Sequence, residues 1–535
     1  MLPIANLDLG YNDAENYKRP RDRELFNKIF IHTDALDKLC DDNVYFLVGE
    51  KGTGKTAYAV YFSNNAYKEN YGAIRFLRET EYHKFVTLKQ ENQLSLSDYR
   101  DIWEIIIYFL ISQQILENEE PNFISKYLKF KQLQDIMREF FKSAFSPEIP
   151  FAIKLVENSA VAAEIFSKYD PAGFKFGGED KKTLESTEHR YQVKLMTIKQ
   201  KFREALSTLN LTKNHILFLD GIDIKPYGIA FEDYLDCIKG LANAIWTVNN
   251  DFFSLIGSDS GSLRAVLLVR PDIFNKFGLQ NQNNRLRDNS VILDWNTTDK
   301  NYRTSYIFSI ADNLLRSQQD EALESGAAWN YYFPYKIPNR SARRSSNHDF
   351  DDSFIGILRH SLYRPRDIVT MMNILRDISV NRKGKTTQAF SHEDFKNTDF
   401  QRQLADYYLG EIKDQMSFFY SEKDFEVFKK FFDFLNGKSD FNYSEFNSAF
   451  FKLIEYTYDY NYKIPPFCSD ADTFLQLLYD LNIISYLERT RNEDFGKFCY
   501  KQRTYANLAP KVKTHSKYRI FIGMRKALNI GKQIL

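Results

Sequence analysis

Residues 49–56 read Gly-Glu-Lys-Gly-Thr-Gly-Lys-Thr, a full G-x-x-x-x-G-K-[ST] pattern, and few backbone paths satisfy it. Its glycines let the chain turn tightly and aim successive N–H groups into one concavity that suits phosphate oxygens. The pattern carries that meaning only between a strand and a helix. Both flanks are present. Val44-Tyr45-Phe46-Leu47-Val48 is a continuous apolar run of strand length, and Ala57-Tyr58-Ala59-Val60-Tyr61-Phe62 continues as a helix. The helix start adds the positive end of its dipole. Gly49, Glu50, Lys51, Gly52, Thr53, Gly54, Lys55, Thr56 and Ala57 are therefore the expected cradle for a nucleoside triphosphate. Lys55 is expected to reach the β- and γ-phosphates, and the Thr56 hydroxyl to take a Mg2+ position.

A second constellation completes that chemistry. Ile216-Leu217-Phe218-Leu219 runs straight into Asp220, followed by Gly221-Ile222-Asp223. Strands of a parallel sheet covered on both faces are apolar throughout, and their carboxyl ends face the ligand. Asp220 is thus expected beside Thr56, holding Mg2+ directly or through water. Asp223 reads either as the group that positions the attacking water or as a helix cap or turn residue. A third strand, Ala265 to Val269, delivers Arg270 at its end. That arginine would neutralise charge at the γ-phosphate, or else form a salt bridge under the sheet. Ala73 to Leu77 and Val291-Ile292-Leu293 supply further strands. Strands spaced by helices argue for an α/β fold with a parallel sheet.

Composition closes off other classes. The chain has 535 residues, 43% hydrophobic and 27% charged, which suits a soluble globular protein of three or four domains. Cys40, Cys237, Cys468 and Cys499 stand far apart without a C-x-x-C pair, so neither zinc nor disulfides are expected and a reducing cytoplasm fits. No apolar run approaches the roughly 18 residues of a membrane span. The longest, Ile105 to Leu110, is interrupted by Glu104 and Ser112, and Met1-Leu2-Pro3 begins no signal peptide. A cytoplasmic protein with no membrane partner is expected. The net charge of +1 hides an asymmetry: from Arg489 onward twelve Lys and Arg face only Glu493 and Asp494. Tyr500, Tyr505 and Tyr518 interleave with them. Such a segment either contacts nucleic-acid backbones or serves as a packing and interaction face.

The expected organisation is an N-terminal helical segment (1–40), a core in two pieces (41–94 and 206–299), a helical insertion (95–205), a helical lid (300–410) and a basic C-terminal domain (411–535). Within the first, residues 17–23 read as a charged loop. The insertion shows helical spacing at Trp103, Ile106, Ile107 and Leu110, and again at Leu133, Ile136, Met137, Phe140 and Phe141. Pro147 and Pro150 break the latter run, and Gly173, Gly177 and Gly178 mark a turn. Residues 325–353, with Arg340, Arg343 and Arg344, read as an exposed linker. Pro365 opens a helix whose buried face is Ile368, Met371, Met372 and Leu375. Arg285 and Arg287 fall in a polar loop, solvated or offering an arginine finger to a neighbour. In 411–535, Phe425, Phe428, Phe431 and Phe432 mark one helix, and Phe474, Leu475, Leu478, Tyr479 and Leu481 another. A hairpin and a final helix from Phe521 to Leu528 follow, which is winged-helix order.

The glycine loop, Leu-Asp-Gly-Ile-Asp at 219–223, Arg-Pro-Asp at 270–272 and Arg-Pro-Arg-Asp at 364–367 together resemble the STAND and origin-recognition (ORC-like) branch of AAA+ P-loop ATPases. More narrowly they resemble bacterial members of that branch, some borne on prophages and defence islands. The opening Leu9-Gly10-Tyr11-Asn12-Asp13-Ala14-Glu15 is similar to that group's N-terminus. The resemblance implies a P-loop NTPase fold with insertion, lid and C-terminal winged helix. It implies ATP and Mg2+ as cofactors, with Lys55, Thr56 and Asp220 at the site. It makes Arg270 the strand-end sensor and Arg366 the lid sensor. One departure stands out: Gly221 occupies the place where many AAA+ ATPases carry a water-orienting Glu, and Asp-Gly-x-Asp resembles the NACHT-type motif that retains the later acid, here Asp223. The implied activity is a slow ATPase switch, in phage exclusion or another defence pathway, acting as a homo-oligomer or with a partner protein. A DNA-binding initiator or replication factor, and a non-hydrolysing oligomerisation scaffold, are the alternatives.

Overall fold

The computed structural model describes residues 1–77, 96–118, 196, 198–207, 209, 211–226, 228–256, 261–338, 350–489 and 494–531. The expected helical positions Leu133, Ile136, Met137, Phe140 and Phe141, and the breakers Pro147, Pro150, Gly173, Gly177 and Gly178, lie outside them. So do Arg340, Arg343, Arg344, Arg491 and Lys532.

Five strands form one sheet: β1 (Phe46–Val48), β2 (Asn70–Phe76), β3 (Asn214–Asp220), β4 (Leu263–Val269) and β5 (Ser290–Ile292), in the order β2-β3-β4-β1-β5. β2 with β3, β3 with β4 and β4 with β1 pair in parallel, so that Leu219 lies opposite Leu267 and Leu47 opposite Leu268. Every residue of β1 and β4 is buried, as a sheet covered on both faces requires. The expected α/β class with a parallel sheet is present. The chain leaves β1 toward β2 on one side and leaves β4 toward β5 on the other. Connections that part in this way put ligand sites of open parallel sheets at the strands' carboxyl ends. Asp220 ends β3, Arg270 follows β4, and Gly49 follows β1.

The chain divides into two compact units, one of residues 35–48 and 56–291, the other of residues 1–34, 49–55 and 292–535. The first holds the sheet. Helices Leu96–Asn118 and Phe231–Asp251 pack tightly within it, and Trp103, Ile106, Ile107 and Leu110 are buried at the helical spacing read from the sequence. Trp103 Nε1 donates to the Cys237 carbonyl at 3.1 Å. Their approach depends on Gly240, where a Cβ would lie 2.5 Å from the Tyr99 Cβ and 3.2 Å from its carbonyl carbon. Buried Glu104 pairs with Lys199 at 2.5 Å, so a charged residue within that apolar run is matched rather than exposed. At the start of β4, buried Arg264 donates to the carbonyls of Leu39 and Asp41, the C-terminal end of the Asp34–Lys38 helix. Among the described residues no helix is long and apolar enough to cross a membrane.

In the second unit an N-terminal arm is tied down by Ile4 N–H donating to Thr387 O at 2.9 Å and by the Tyr332 hydroxyl donating to Leu2 O at 2.7 Å. A 3-10 helix, Ala14–Lys18, and helix Pro20–Ile29 leave only Arg19 of the charged loop expected over 17–23 outside a helix; proline fits a first helical position, where its missing N–H has no partner to lose. The exposed linker expected over 325–353 is also corrected in its described part. Helix Ala327–Tyr332 buries Trp329, which stacks on Phe333 at 4.0 Å, and β6 (Lys336–Pro338) pairs with β7 (Phe350–Asp352). Pro365 opens helix Pro365–Lys383, with Ile368, Met371, Met372 and Leu375 all buried.

Helices Glu422–Asp433, Tyr443–Asp459 and Ala471–Asp480 close over a phenylalanine cluster; Phe431 and Phe474 meet edge-on at 4.8 Å. Four antiparallel strands lie in the order β10-β9-β11-β8: β8 (Asp440–Asn442), β9 (Ile484–Arg489), β10 (Asp494–Lys497) and β11 (Lys517–Ile520). The final helix expected from Phe521 to Leu528 does not form. Tyr518 and Ile520 are buried while Lys517 is exposed, a period of two that makes β11, and only a 3-10 turn, Ile522–Met524, follows. Gly523 sits 2.7 Å (measured from an added Cβ) from rings of Phe521 and Tyr408, so packing and strand pairing override local helix propensity here.

Gly240→Val should lower stability by about 1–3 kcal/mol through overpacking against Tyr99, read as an earlier urea midpoint. Gly410→Ala, in a helix where an added Cβ meets nothing within 4 Å, should hold or raise it. Equal midpoints for Gly240→Val and the unaltered chain would contradict this packing.

Candidate functional site

In the unit that holds the sheet, β3 delivers Asp220 and the helix Lys55–Asn64 delivers Thr56. The Thr56 hydroxyl donates to Asp220 Oδ2 at 2.6 Å, across 164 positions of sequence. The other carboxylate oxygen accepts the Gly221 N–H at 2.8 Å, which fixes the plane of the group. A hydroxyl and a carboxylate in contact are hard oxygen donors of the kind Mg2+ takes, with water and substrate phosphate completing the shell. Among the described residues no group of three or more His, Cys, Asp or Glu is placed to hold a metal unaided. Gly221 has φ +94°, and a Cβ there would lie 2.6 Å from the Leu77 carbonyl oxygen. A glutamate at that position would be strained and would collide with backbone.

Asp223 is half-exposed two residues further on. Arg270 is 2% exposed and engages Asp272 at both ends, Nε to Oδ1 at 3.1 Å and Nη2 to Oδ2 at 2.7 Å. Burial alone would lower its pKa, but Asp272 and then Asp223 reverse that and hold it up. Arg270 thus forms a salt bridge with Asp272, with Asp223 inside its electrostatic reach. Arg285 and Arg287 do not lie in a loop: helix Gln282–Asn289 carries both, and the Arg285 guanidinium rests 3.9 Å from the Trp246 ring centroid. Stacking on an indole repays the ordering of that segment.

In the other unit, residues 49–55 form a tight turn with Gly52 at φ +85° and Gly54 at φ +96°, the left-handed region that glycine enters without strain. Lys55 is buried and its Nζ donates to the carbonyls of Gly49 at 2.9 Å and Glu50 at 3.2 Å. The ammonium is thus held at the concave side of the loop. The rest of the loop is gripped from outside. Arg364 Nη1 donates to Lys51 O at 3.0 Å, while its Nε and Nη2 bind Asp367. Burial alone would lower the Arg364 pKa, but Asp367 reverses it and holds the cation firmly. Asp367 also accepts from the Tyr407 hydroxyl at 2.9 Å and the Leu362 N–H at 2.8 Å. Lys51 Nζ meets Asp414 at 2.6 Å and Glu411 at 3.4 Å on helix Thr398–Ser417. Trp295 Nε1 donates to Thr53 O at 2.9 Å, and Glu50 forms an ion pair with Arg503.

Arg366 is placed by the same helix start. Its N–H donates to Gly52 O at 3.3 Å, and a Cβ on Gly52 would lie 3.2 Å from the Arg366 Cβ. Its guanidinium points to Asn12 O at 3.0 Å and Glu411 at 3.4 Å. Gly52 is therefore demanded twice, by its backbone conformation and by this contact. Arg364, Asp367, Glu411, Asp414, Trp295 and Arg503 were not among the expected site residues. The spacing of Arg364 and Asp367 across a proline at the first helical position was the one usable signal; nothing local marks Arg503.

Among the described residues, the C-terminal basic residues do not form one open face. Arg503 pairs with Glu50, Arg525 donates to Ile520 O at 3.2 Å, and Lys501 lies 4.1 Å from the Tyr363 ring centroid. Lys497 and Lys513 share Glu488, and Arg519 meets Asp440 at 2.5 Å.

Arg364→Met leaves Asp367 buried without its cation, which should cost about 3–5 kcal/mol. Amide exchange over residues 49–55 should quicken in the same variant. Unchanged exchange there would mean that Arg364 does not brace the loop. The chain matches no protein-family model and no curated protein, so the loop, the Thr56–Asp220 pair and the residues gripping them are what carry a functional reading.

Proposed function

We propose that this chain binds ATP with Mg2+ and hydrolyses it slowly, as a nucleotide-controlled conformational switch of the P-loop, AAA+/STAND-like kind. The observation that carries this reading is the 2.6 Å hydrogen bond between Thr56 and Asp220, one residue along from the lysine of a G-x-x-x-x-G-K-[ST] loop. Thr56 and Asp220 would hold Mg2+, which when bound neutralises phosphate charge. Lys55 exchanges two carbonyl acceptors for phosphate oxygens, a swap that costs little because the ammonium already faces the concavity. The N–H groups of residues 49–57 supply the remaining donors.

Slow turnover follows from Gly221. No carboxylate adjoins Asp220 to orient water, so Asp223 takes that role from three residues beyond it. Arg270, already paired with Asp272, would act by fixing Asp223 rather than by touching phosphate. Residues 300–410 would form the lid. The order of helix, β8, two helices and the β9–β10 hairpin supports a winged helix over 411–535. A homo-oligomer or a partner protein would receive the signal, with defence against phage as the pathway that the resemblance implies. DNA binding is the weaker reading. Helix Ala471–Asp480, third of the winged-helix order, carries Asp472 and Asp480 and no Lys or Arg, so it lacks the cations that phosphate contacts require.

Phosphate release and ATP retention by the full chain test this. Asp223→Asn should lower the turnover number by about a hundredfold while ATP affinity stays near that of the unaltered chain. Lys55→Ala should lose ATP affinity by at least about tenfold, 1.4 kcal/mol. Retention of ATP by Lys55→Ala, or wild-type turnover by Asp223→Asn, would contradict the assignment.

A further inference from the structure

We propose that Arg503 is a positioning residue for the triphosphate, acting by neutralising the Glu50 carboxylate inside the phosphate loop. The inference deepens the nucleotide reading and rests on it. Glu50 is the second residue of the loop, and its own carbonyl holds the Lys55 ammonium at 3.2 Å. An acid so close to the place of a triphosphate opposes ligand binding, and little water is at hand to screen it, since the Glu50 side chain is only 17% exposed. The other nearby cations are committed. Lys51 is held by Glu411 and Asp414, and Arg364 by Asp367 and the Lys51 carbonyl.

Arg503 is what meets Glu50. Its side chain is 8% exposed, and its Nε is anchored on Leu508 O at 3.1 Å, so the guanidinium is aimed rather than mobile. Burial pushes its pKa down to about 10, which leaves it a cation at neutral pH. The residue follows the short helix Cys499–Gln502, whose Tyr500 N–H is tied to Asn482 at 2.9 Å beside β9. The C-terminal sheet region thereby sets the charge of the phosphate loop. Loss of this one contact changes what the loop presents to a ligand, without altering Lys55, Thr56 or Asp220.

Charge cancellation and a merely structural pair differ in sign when only the acid is removed. Removing the acid alone leaves Arg503 as an extra positive charge beside the phosphates. Equilibrium dialysis of labelled ATP with Mg2+ against the full chain reads the difference. Arg503→Gln should weaken ATP binding by about tenfold, the size of a close charge coupling of 1.4 kcal/mol. Glu50→Gln should tighten it by about threefold. Glu50→Gln with Arg503→Gln should return to within about twofold of the unaltered chain. Wild-type affinity in Arg503→Gln, or affinity in Glu50→Gln at or below wild type, overturns the proposal. Where Arg503→Gln fails to fold, the Glu50→Gln arm decides alone. An unaltered chain that retains no ATP overturns the nucleotide reading itself, and this inference with it.

Discussion

Everything that gives this chain a chemistry depends on one contact, the hydrogen bond from the Thr56 hydroxyl to Asp220. It requires a parallel sheet. Only parallel strands bring the end of β1, from which the glycine loop departs, and the end of β3, on which Asp220 sits, to the same edge. The apolar runs that make those strands are buried, Phe46 to Val48 in β1 and His215 to Leu219 in β3. The Gly221 turn then holds the carboxylate plane through its N–H, and its lack of a side chain lets Leu77 pass at backbone distance. Sheet topology, strand composition and one obligatory glycine converge on a pair of oxygen atoms.

The loop that precedes Thr56 is stabilised differently, by charge. Its outer surface offers Glu50, the Lys51 ammonium and three carbonyls, and each has a partner from residues beyond 290. Several of these partners are buried ions. Such pairs add little net stability because desolvation offsets their attraction, yet removing one partner is costly. Their consequence is geometric: they hold a turn of glycines, which would otherwise sample many conformations, in one arrangement. Arg364 illustrates the cost and the gain. It is buried to 7% exposure, and in return Asp367 fixes its fork against the Lys51 carbonyl. A loop held from its outer side keeps one shape, which is what preorganised binding requires.

Much of this was legible in the sequence because it is local. The glycine loop, the strands ending in Asp220 and Arg270, the Pro365 helix start and the Phe-rich helices are all written within ten or twenty residues. What was not legible was settled by distant contacts. Residues 327–332 look like linker but fold because Trp329 finds Phe333 and Phe354. The helix expected from Phe521 to Leu528 gives way to a short turn after a strand, Lys517–Ile520, for which β8 and β9 supply ladder partners on both sides. Arg285 sits in a polar stretch that becomes helix against Trp246. The basic C-terminus looked like one surface, yet Arg503 turns inward to an acid near the other end of the chain. Net charge along a sequence does not say which side chains face water.

The most direct test of the central claim is calorimetric titration of the full chain with ATP, in Mg2+ and again in EDTA, repeated with Asp220→Ala. The account predicts one-site binding that is strengthened by Mg2+ in the unaltered chain, and an affinity in Asp220→Ala that no longer responds to the ion. Equal binding with and without Mg2+ in the unaltered chain, or no heat at all, would contradict it.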